Sequence, residues 1–232
     1  KKKVILSISA LFILIFFTVY TASCFSSCGK LFAGLFDMPY HNMMIVGAVF
    51  VVLYTVLGGF LAESASDFMQ SIVMICALVA VLVCGVIYAG GIGNVIENAK
   101  NIPGYLSLNT IANPVVNSDG VQQASNGAAL FGEAGKYDFI TILSTLSWGL
   151  GYFGLPQVLL RFMAIRRGDE LKNSRRIATV WVVISLFAAV LIGIVGRAVF
   201  PYDASLATQS SAENVFAHLS SLLFHPLFAG IV

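Results

Sequence analysis

Charged residues are scarce in this sequence of 232 residues. Lys and Arg number 13 and Asp and Glu number 11, which makes 10% of the chain charged, whereas soluble domains carry about a quarter. The hydrophobic share is 58%, above the roughly 45–50% that is usual for soluble proteins. The sequence also lacks a long basic block, which argues against a nucleic-acid partner. An ordinary soluble domain is therefore excluded.

The few charges leave long charge-free stretches between them. Each stretch is long enough for the roughly 20 residues that a helix needs to cross the hydrocarbon of a lipid bilayer. The apolar residues run continuously instead of alternating as they do in membrane barrel strands. The stretches are residues 4–29, 38–62, 68–96, 139–160 and 177–196. The sequence therefore predicts an all-α, polytopic protein embedded in a lipid bilayer.

We expect a single transmembrane domain over residues 1–232. Its full spans are predicted at about 4–29, 40–62, 68–93, 139–164 and 177–200, and a sixth begins near residue 227. A polar loop at 97–138 carries many turn signals. Residues 212–224 have the apolar spacing of an amphipathic interfacial helix. The chain has no initiator Met and ends inside an apolar segment, which favours an internal piece of a longer protein.

The basic residues divide unevenly between the two predicted sides. The side that holds residues 1–3, 63–67 and 161–176 carries nine Lys and Arg residues, and the other side carries four. The positive-inside rule predicts that the richer side is cytoplasmic. The loop at 97–138 is then expected on the outer face.

The fourth predicted span carries three glycines and a proline between residues 147 and 157. Glycine is flexible and proline removes a backbone donor, so a continuous helix is disfavoured there. A broken helix at membrane depth is tolerated where it is buried in protein or lines a wet cavity. Trp148, Tyr152 and Pro156 follow one another at a spacing of four residues and would share one face of any helical portion. They form either the wall of a site for a small zwitterion or a packing face with interfacial aromatics.

Two further polar residues invite two interpretations each. Tyr20 lies near the middle of the first span, where its hydroxyl needs a partner from another helix or from a ligand. Asp67 follows a polar run at a predicted cytoplasmic turn. Ser66 could cap the next span and leave Asp67 in the first helical turn. Alternatively, the Asp67 carboxylate could help to release a cation at the inner mouth.

Features of catalysis are missing from the sequence. It contains no pair of carboxylates, no nucleophile elbow and no histidine cluster with metal-ligand spacing. We therefore expect no enzymatic activity, no resident metal and no cofactor. A membrane-embedded enzyme is the weakest hypothesis.

Several runs of residues together resemble the sodium:solute symporter family. They are FFTVYTAS at 16–23, YTVLGGFLA at 54–62 followed by Asp67 and Gln70, WGLGYFG at 148–154 and RFMA at 161–164. The resemblance implies a LeuT-type fold, an inverted repeat of five helices twice. In that fold the chain would cover core helices three to seven and the start of core helix eight.

The resemblance also implies roles for the residues above. Trp148, Tyr152 and Pro156 match positions implicated in proline binding among the proline-carrying members, and Tyr20 matches an aromatic residue that faces the same cavity. Asp67 matches an acid linked to sodium movement towards the cytoplasm. The main sodium ligands are expected outside this chain.

The implied function is sodium-coupled uptake of L-proline by alternating access in a bacterial inner membrane, with sodium as the coupling ion. Leu155 and Gln157 differ from the Gln and His that flank the proline in proline-carrying members. Two alternatives stay open: a sodium symporter for another small solute, and the symporter-like sensor domain of a membrane-bound kinase.

Overall fold

Helices account for most of the chain in a computed structural model, which describes residues 2–230. The helical content is 73%. The helices are α1 (Lys2–Phe36), α2 (Tyr40–Tyr88), α3 (Ile92–Lys100), α4 (Phe139–Gly151), α5 (Pro156–Met163), α6 (Glu170–Val199), α7 (Gln209–Ala212), α8 (Val215–Leu223) and α9 (Pro226–Ala229). Short 3₁₀ turns lie at Tyr152–Gly154 and Ala204–Leu206.

Four helical segments in the described part of the chain are long and apolar enough to cross a membrane. They are Lys3–Phe36, Tyr40–Tyr88, Phe139–Met163 and Glu170–Val199. Their apolar side chains are largely exposed within the chain, as expected when lipid or further protein covers a hydrophobic helix. These features indicate an integral, polytopic membrane protein.

Helix α2 covers the residues of the second and third predicted spans without a turn between them. Its 49 residues are interrupted by a kink at Gly59, where φ is 57° and ψ is −155°. A side chain at this left-handed φ would be strained, so glycine is the residue that permits the kink. The residues after Gly59 continue as helix to Tyr88.

The chain divides into two compact units, residues 1–72 and 73–232. In the first unit, α1 and the first part of α2 approach each other closely at glycines. A Cβ at Gly29 would lie 2.8 Å from the Met44 Cβ, and one at Gly47 would lie 2.9 Å from the Cys28 Sγ. The Tyr40 hydroxyl donates to the Ser26 Oγ at 2.9 Å. Small residues and an interhelical hydrogen bond are the usual means of helix association in membranes.

The second unit has a small packed core between the end of α2, α6 and α8. Val81, Ile192 and Leu219 are buried at its centre. A Cβ at Gly196 would lie 2.5 Å from the Val215 Cγ2, so the missing side chain lets α8 lie against α6. The predicted interfacial helix at 212–224 thus corresponds mainly to α8, whose Leu219 is completely buried.

The loop at 97–138 is folded through short antiparallel strand pairs. Strands β1 (Thr110–Ile111) and β4 (Gly135–Lys136) pair with each other, as do β2 (Ala124–Ser125) and β3 (Ala128–Ala129). Asn126 and Gly127 connect β2 to β3, with φ values of 54° and 77°. An Asn-Gly pair with positive φ is the favoured two-residue hairpin turn. The turn signal in the sequence therefore corresponds to a real hairpin.

The short helices near the end of the chain begin in different ways. Thr208 caps α7 through a reciprocal pair of hydrogen bonds with Ser211, whereas Asn214 makes no side-chain cap bond to α8. Helix α9 begins at Pro226, with its cap at His225. The rest of the predicted sixth span, and Lys1 of the basic N-terminal flank, lie outside the described residues.

Candidate functional site

The chain is helical on both sides of a break between residues 151 and 156. Helix α4 ends at Gly151, a 3₁₀ turn follows, and Leu155 is extended with φ −68° and ψ 123°. Pro156 then occupies the first turn of α5. The residue before a proline is pushed out of the helical region, and proline itself suits a helix start. The interruption that the glycines and the proline predicted is therefore present.

Trp148 lies just before this break, and Tyr152 is the first residue of the 3₁₀ turn within it. Their ring centroids are 5.4 Å apart and the rings meet edge-on at 66°. This contact follows from their spacing, because side chains four residues apart are neighbours on a helix. The Trp148 side chain is 74% exposed and the Tyr152 side chain 49% exposed. The pair therefore presents an open aromatic surface beside a helix break.

Pro156 lies on the far side of the break. It is half-buried and begins α5. Because the helix is interrupted between Tyr152 and Pro156, one continuous helical face does not carry all three residues. The structure brings Trp148 and Tyr152 into contact and separates Pro156 from them by the 3₁₀ turn.

Tyr20 belongs to the first unit, in α1. Its ring stacks on Phe17 with a centroid distance of 5.7 Å and an angle of 24°. The side chain is 41% exposed. Tyr20 therefore keeps an open aromatic surface on its own helix.

Asp67 also belongs to the first unit and lies inside α2. The expectation that Ser66 caps a new helix is wrong, because α2 is helical through this whole region. The Ser66 Oγ instead accepts a hydrogen bond from the Gln70 Nε2 at 3.2 Å. Asp67 lies about two turns beyond the Gly59 kink, whereas the helix dipole acts mainly within the first turn. The helix-start explanation of Asp67 thus loses its structural basis.

The Gly59 kink is the feature that sequence reasoning missed. The signal was the pair Gly58-Gly59, which stands in a run of apolar residues. The turn was predicted at the charged and hydroxyl residues 63–67, which lie several residues after the observed kink. Polar side chains do not interrupt a helix whose backbone bonds are made internally.

The described residues contain no group of three or more His, Cys, Asp or Glu side chains that could hold a metal ion. Sodium, if carried, would be cargo rather than a resident metal.

Comparison with known proteins identifies the family. The sequence model of the sodium:solute symporter family matches residues 1–232. The chain belongs to the sodium:solute symporter family. The resemblance drawn from the sequence motifs is thereby confirmed.

Individual relatives in this family carry a more specific name. The sodium/proline symporter of Escherichia coli (strain K12) is 36% identical over 234 residues, which cover 100% of this chain and 42% of the relative. The sodium/proline symporter of Staphylococcus aureus (strain USA300 / TCH1516) is 36% identical over 233 residues, covering 100% of this chain and 40% of the relative. The chain thus spans about two fifths of the length of these relatives. No solved structure matches the chain significantly.

Proposed function

We propose that this chain is part of a sodium-coupled symporter that carries L-proline, or a related small solute, into a bacterial cell across the inner membrane. The observation that carries the proposal is the open aromatic pair Trp148–Tyr152 at a helix break. Family membership and relatives named sodium/proline symporter support the coupling ion and the solute class. Transport would follow alternating access in a LeuT-type fold, in which broken helices line the substrate site near the bilayer midplane.

The aromatic pair suits the chemistry of a small cyclic amino acid. An ammonium group is attracted to the face of an indole ring, and apolar ring carbons pack on the same surface. The Tyr152 hydroxyl adds a donor and acceptor for the polar end of the solute. We infer that Trp148 and Tyr152 contact the solute directly and that Pro156 contributes to the same site. Tyr20, in the first unit, is a further candidate for solute binding through the family resemblance alone.

We further infer that Asp67 assists sodium on its way to the cytoplasm. An ionisable side chain within a membrane-spanning helix is by default a candidate functional residue, and the family resemblance links this position to sodium movement. Energy for uptake would come from the sodium gradient and from the membrane potential, which supplies about 2.3 kcal/mol per charge per 100 mV.

A related small solute is the second candidate. Leu155 and Gln157 flank Pro156, where proline-carrying members have Gln and His. These side chains adjoin the proposed wall and could alter its shape and polarity. The transported solute would then be another amino acid or small organic ion instead of L-proline, and sodium coupling would be retained.

Uptake of labelled L-proline by the full-length protein in proteoliposomes tests this proposal. We expect uptake that requires an inward sodium gradient and that excess unlabelled L-proline abolishes. Potassium in place of sodium is the control. Sodium-driven uptake that another solute blocks better than proline would favour the second candidate, and absence of sodium-driven uptake for every solute tested would contradict symport.

A further inference from the structure

A cavity of about 310 Å³ lies in the second unit, away from the aromatic pair. Its walls come from the loop at 97–138, from the end of α6 and from residues 200–215. Small-molecule sites begin at about 300 Å³, so the cavity has room for a small solute. Neither the sequence motifs nor the proposed transport site accounts for it.

Backbone hydrogen bonds hold two of the cavity walls together. The Gln122 amide donates to the Ala207 carbonyl at 2.8 Å, and the Ala129 amide donates to the Pro201 carbonyl at 3.1 Å. Val121 and Thr208 form an isolated antiparallel bridge beside them. The cavity is therefore formed by folded backbone and does not depend on flexible side chains alone.

Arg197 supplies the positive charge of the cavity. Its Cζ lies 4.9 Å from the centroid of the Phe131 ring, which also lines the cavity. The side chain is half-buried, and no carboxylate of residues 2–230 forms an ion pair with it. Gly193 leaves open space one helical turn away, because a Cβ there would meet no atom within 4 Å. A partly desolvated guanidinium with free donors is a strong site for a carboxylate.

Two other polar groups line the same cavity. Burial raises the pKa of Tyr105 despite the opposing effect of the nearby Arg197, so its hydroxyl stays protonated and can donate. The Asp203 carboxylate accepts hydrogen bonds from the Ser205 hydroxyl and amide at 2.6 and 2.8 Å, and these bonds lower its pKa. Both bonds end on Oδ1, which leaves Oδ2 available to accept from a cationic group.

We propose that this cavity is a second solute site, which binds a small amino-acid-like zwitterion with its carboxylate on Arg197. The ammonium group of the solute would face Asp203, and the Phe131 ring would hold the guanidinium in position. The site is separate from the aromatic pair, and its existence does not depend on which solute the protein transports.

Protection of an introduced cysteine tests the proposal in the full-length protein purified in detergent. Ala212 lines the cavity and is exposed, so Ala212→Cys in a cysteine-free background gives a reactive thiol at its mouth. Alkylation by N-ethylmaleimide is followed with increasing acetate, L-proline or L-prolinamide at constant ionic strength. We expect acetate and L-proline to slow alkylation, and L-prolinamide, which lacks a carboxylate, to leave it unchanged.

Substitutions of Arg197 test whether its guanidinium binds the carboxylate. Arg197→Gln should raise the half-protecting acetate concentration about tenfold or more, and Arg197→Lys, which keeps the charge, should raise it less. Lys136→Gln is the matched control, since Lys136 is an exposed cation of the same loop that does not line the cavity. It should leave protection unchanged. Trp148→Ala should also preserve protection by acetate.

Four results would overturn the proposal. One is protection by L-prolinamide equal to that by L-proline, and another is unchanged protection in Arg197→Gln. A third is absence of protection by either carboxylate, which would mean that Arg197 is already neutralised by another part of the full-length protein. Loss of acetate protection in Trp148→Ala would show that the effect arises at the aromatic pair. Acetate protection does not require transport, so failure of proline uptake leaves this test intact.

Discussion

The broken segment α4–α5 and the packed helices α6 and α8 belong to the same unit but expose very different shares of their surface. No described residue of α4 or α5 is buried. In contrast, α6 and α8 bury residues along one side, namely Ser185, Ala188, Ile192, Val195, Gly196, Leu219 and Ser220. The packed helices depend on matching shapes for their stability. The broken segment keeps its aromatic side chains open for a ligand or for the rest of the full-length protein.

This difference separates mutations that damage folding from mutations that damage binding. A substitution in the packed core should lower the amount of folded protein and spare solute affinity. A substitution in the aromatic pair should do the reverse.

The largest loss of stability is expected from Leu219→Ala. Leu219 is completely buried against Val81 and Ile192, and such truncations cost about 2–5 kcal/mol because they leave a cavity. Thermal unfolding of the purified full-length protein should show a lower midpoint, with wild-type proline affinity in the folded fraction. Leu227→Ala, at a side chain that is 66% exposed, serves as the control. A wild-type midpoint for Leu219→Ala would contradict the assigned core.

Asp67→Asn should slow transport without loss of protein. The substitution keeps the shape and removes the charge, and the helix-dipole explanation is weakened by the position of Asp67 beyond the Gly59 kink. We expect several-fold slower uptake or a higher sodium requirement. Initial uptake rates at varied sodium concentration measure this effect. Unchanged rate and sodium dependence, at equal expression, would remove Asp67 from the sodium pathway.

The long helical segments that could cross a membrane were accessible from the sequence because each contains a long charge-free run. The break at 151–156 was accessible for a similar reason, since three glycines and Pro156 act locally. The sequence predicts a turn at the polar residues 63–67, whereas the helix is kinked earlier, at Gly59. The Arg197 cavity depends on the pairing of residue 122 with residue 207, which no local pattern reveals.

Tyr152→Phe should weaken solute binding by a smaller factor. The substitution removes one hydroxyl, and a lost hydrogen bond costs about 0.5–1.5 kcal/mol, or up to about tenfold in affinity. Equilibrium binding of labelled proline to purified protein is the appropriate measurement. Tyr54→Phe, at a tyrosine of α2 outside the proposed site, is a matched loss of a hydroxyl. Equal weakening by both variants would contradict a specific role for Tyr152.

Asp203→Ala should give the smallest effect on stability, limited to the turn after α6. The Asp203 carboxylate caps the 3₁₀ turn at Ala204–Leu206, and loss of a cap costs about 0.5–1 kcal/mol at a partly exposed site. The lowered pKa of Asp203 means that this contribution is complete above its ordinary value of 3.8 and fades as the pH falls through the lower folded-state value. The protection factor of the Ser205 amide, its exchange rate relative to that of an unprotected amide at the same pH, should therefore fall in the variant at neutral pH and in the wild type only at acid pH. Equal exchange at neutral pH in both proteins would contradict the cap.

Proline affinity per folded protein in Trp148→Ala tests most directly whether the aromatic pair contacts the solute. Loss of the indole removes both apolar area and the attraction between an ammonium group and the ring, so affinity should fall about tenfold or more. Thermal stability should change little, because the Trp148 side chain is 74% exposed. Wild-type affinity in the folded fraction, together with a lower unfolding midpoint, would show that Trp148 serves packing and would contradict the proposed solute wall.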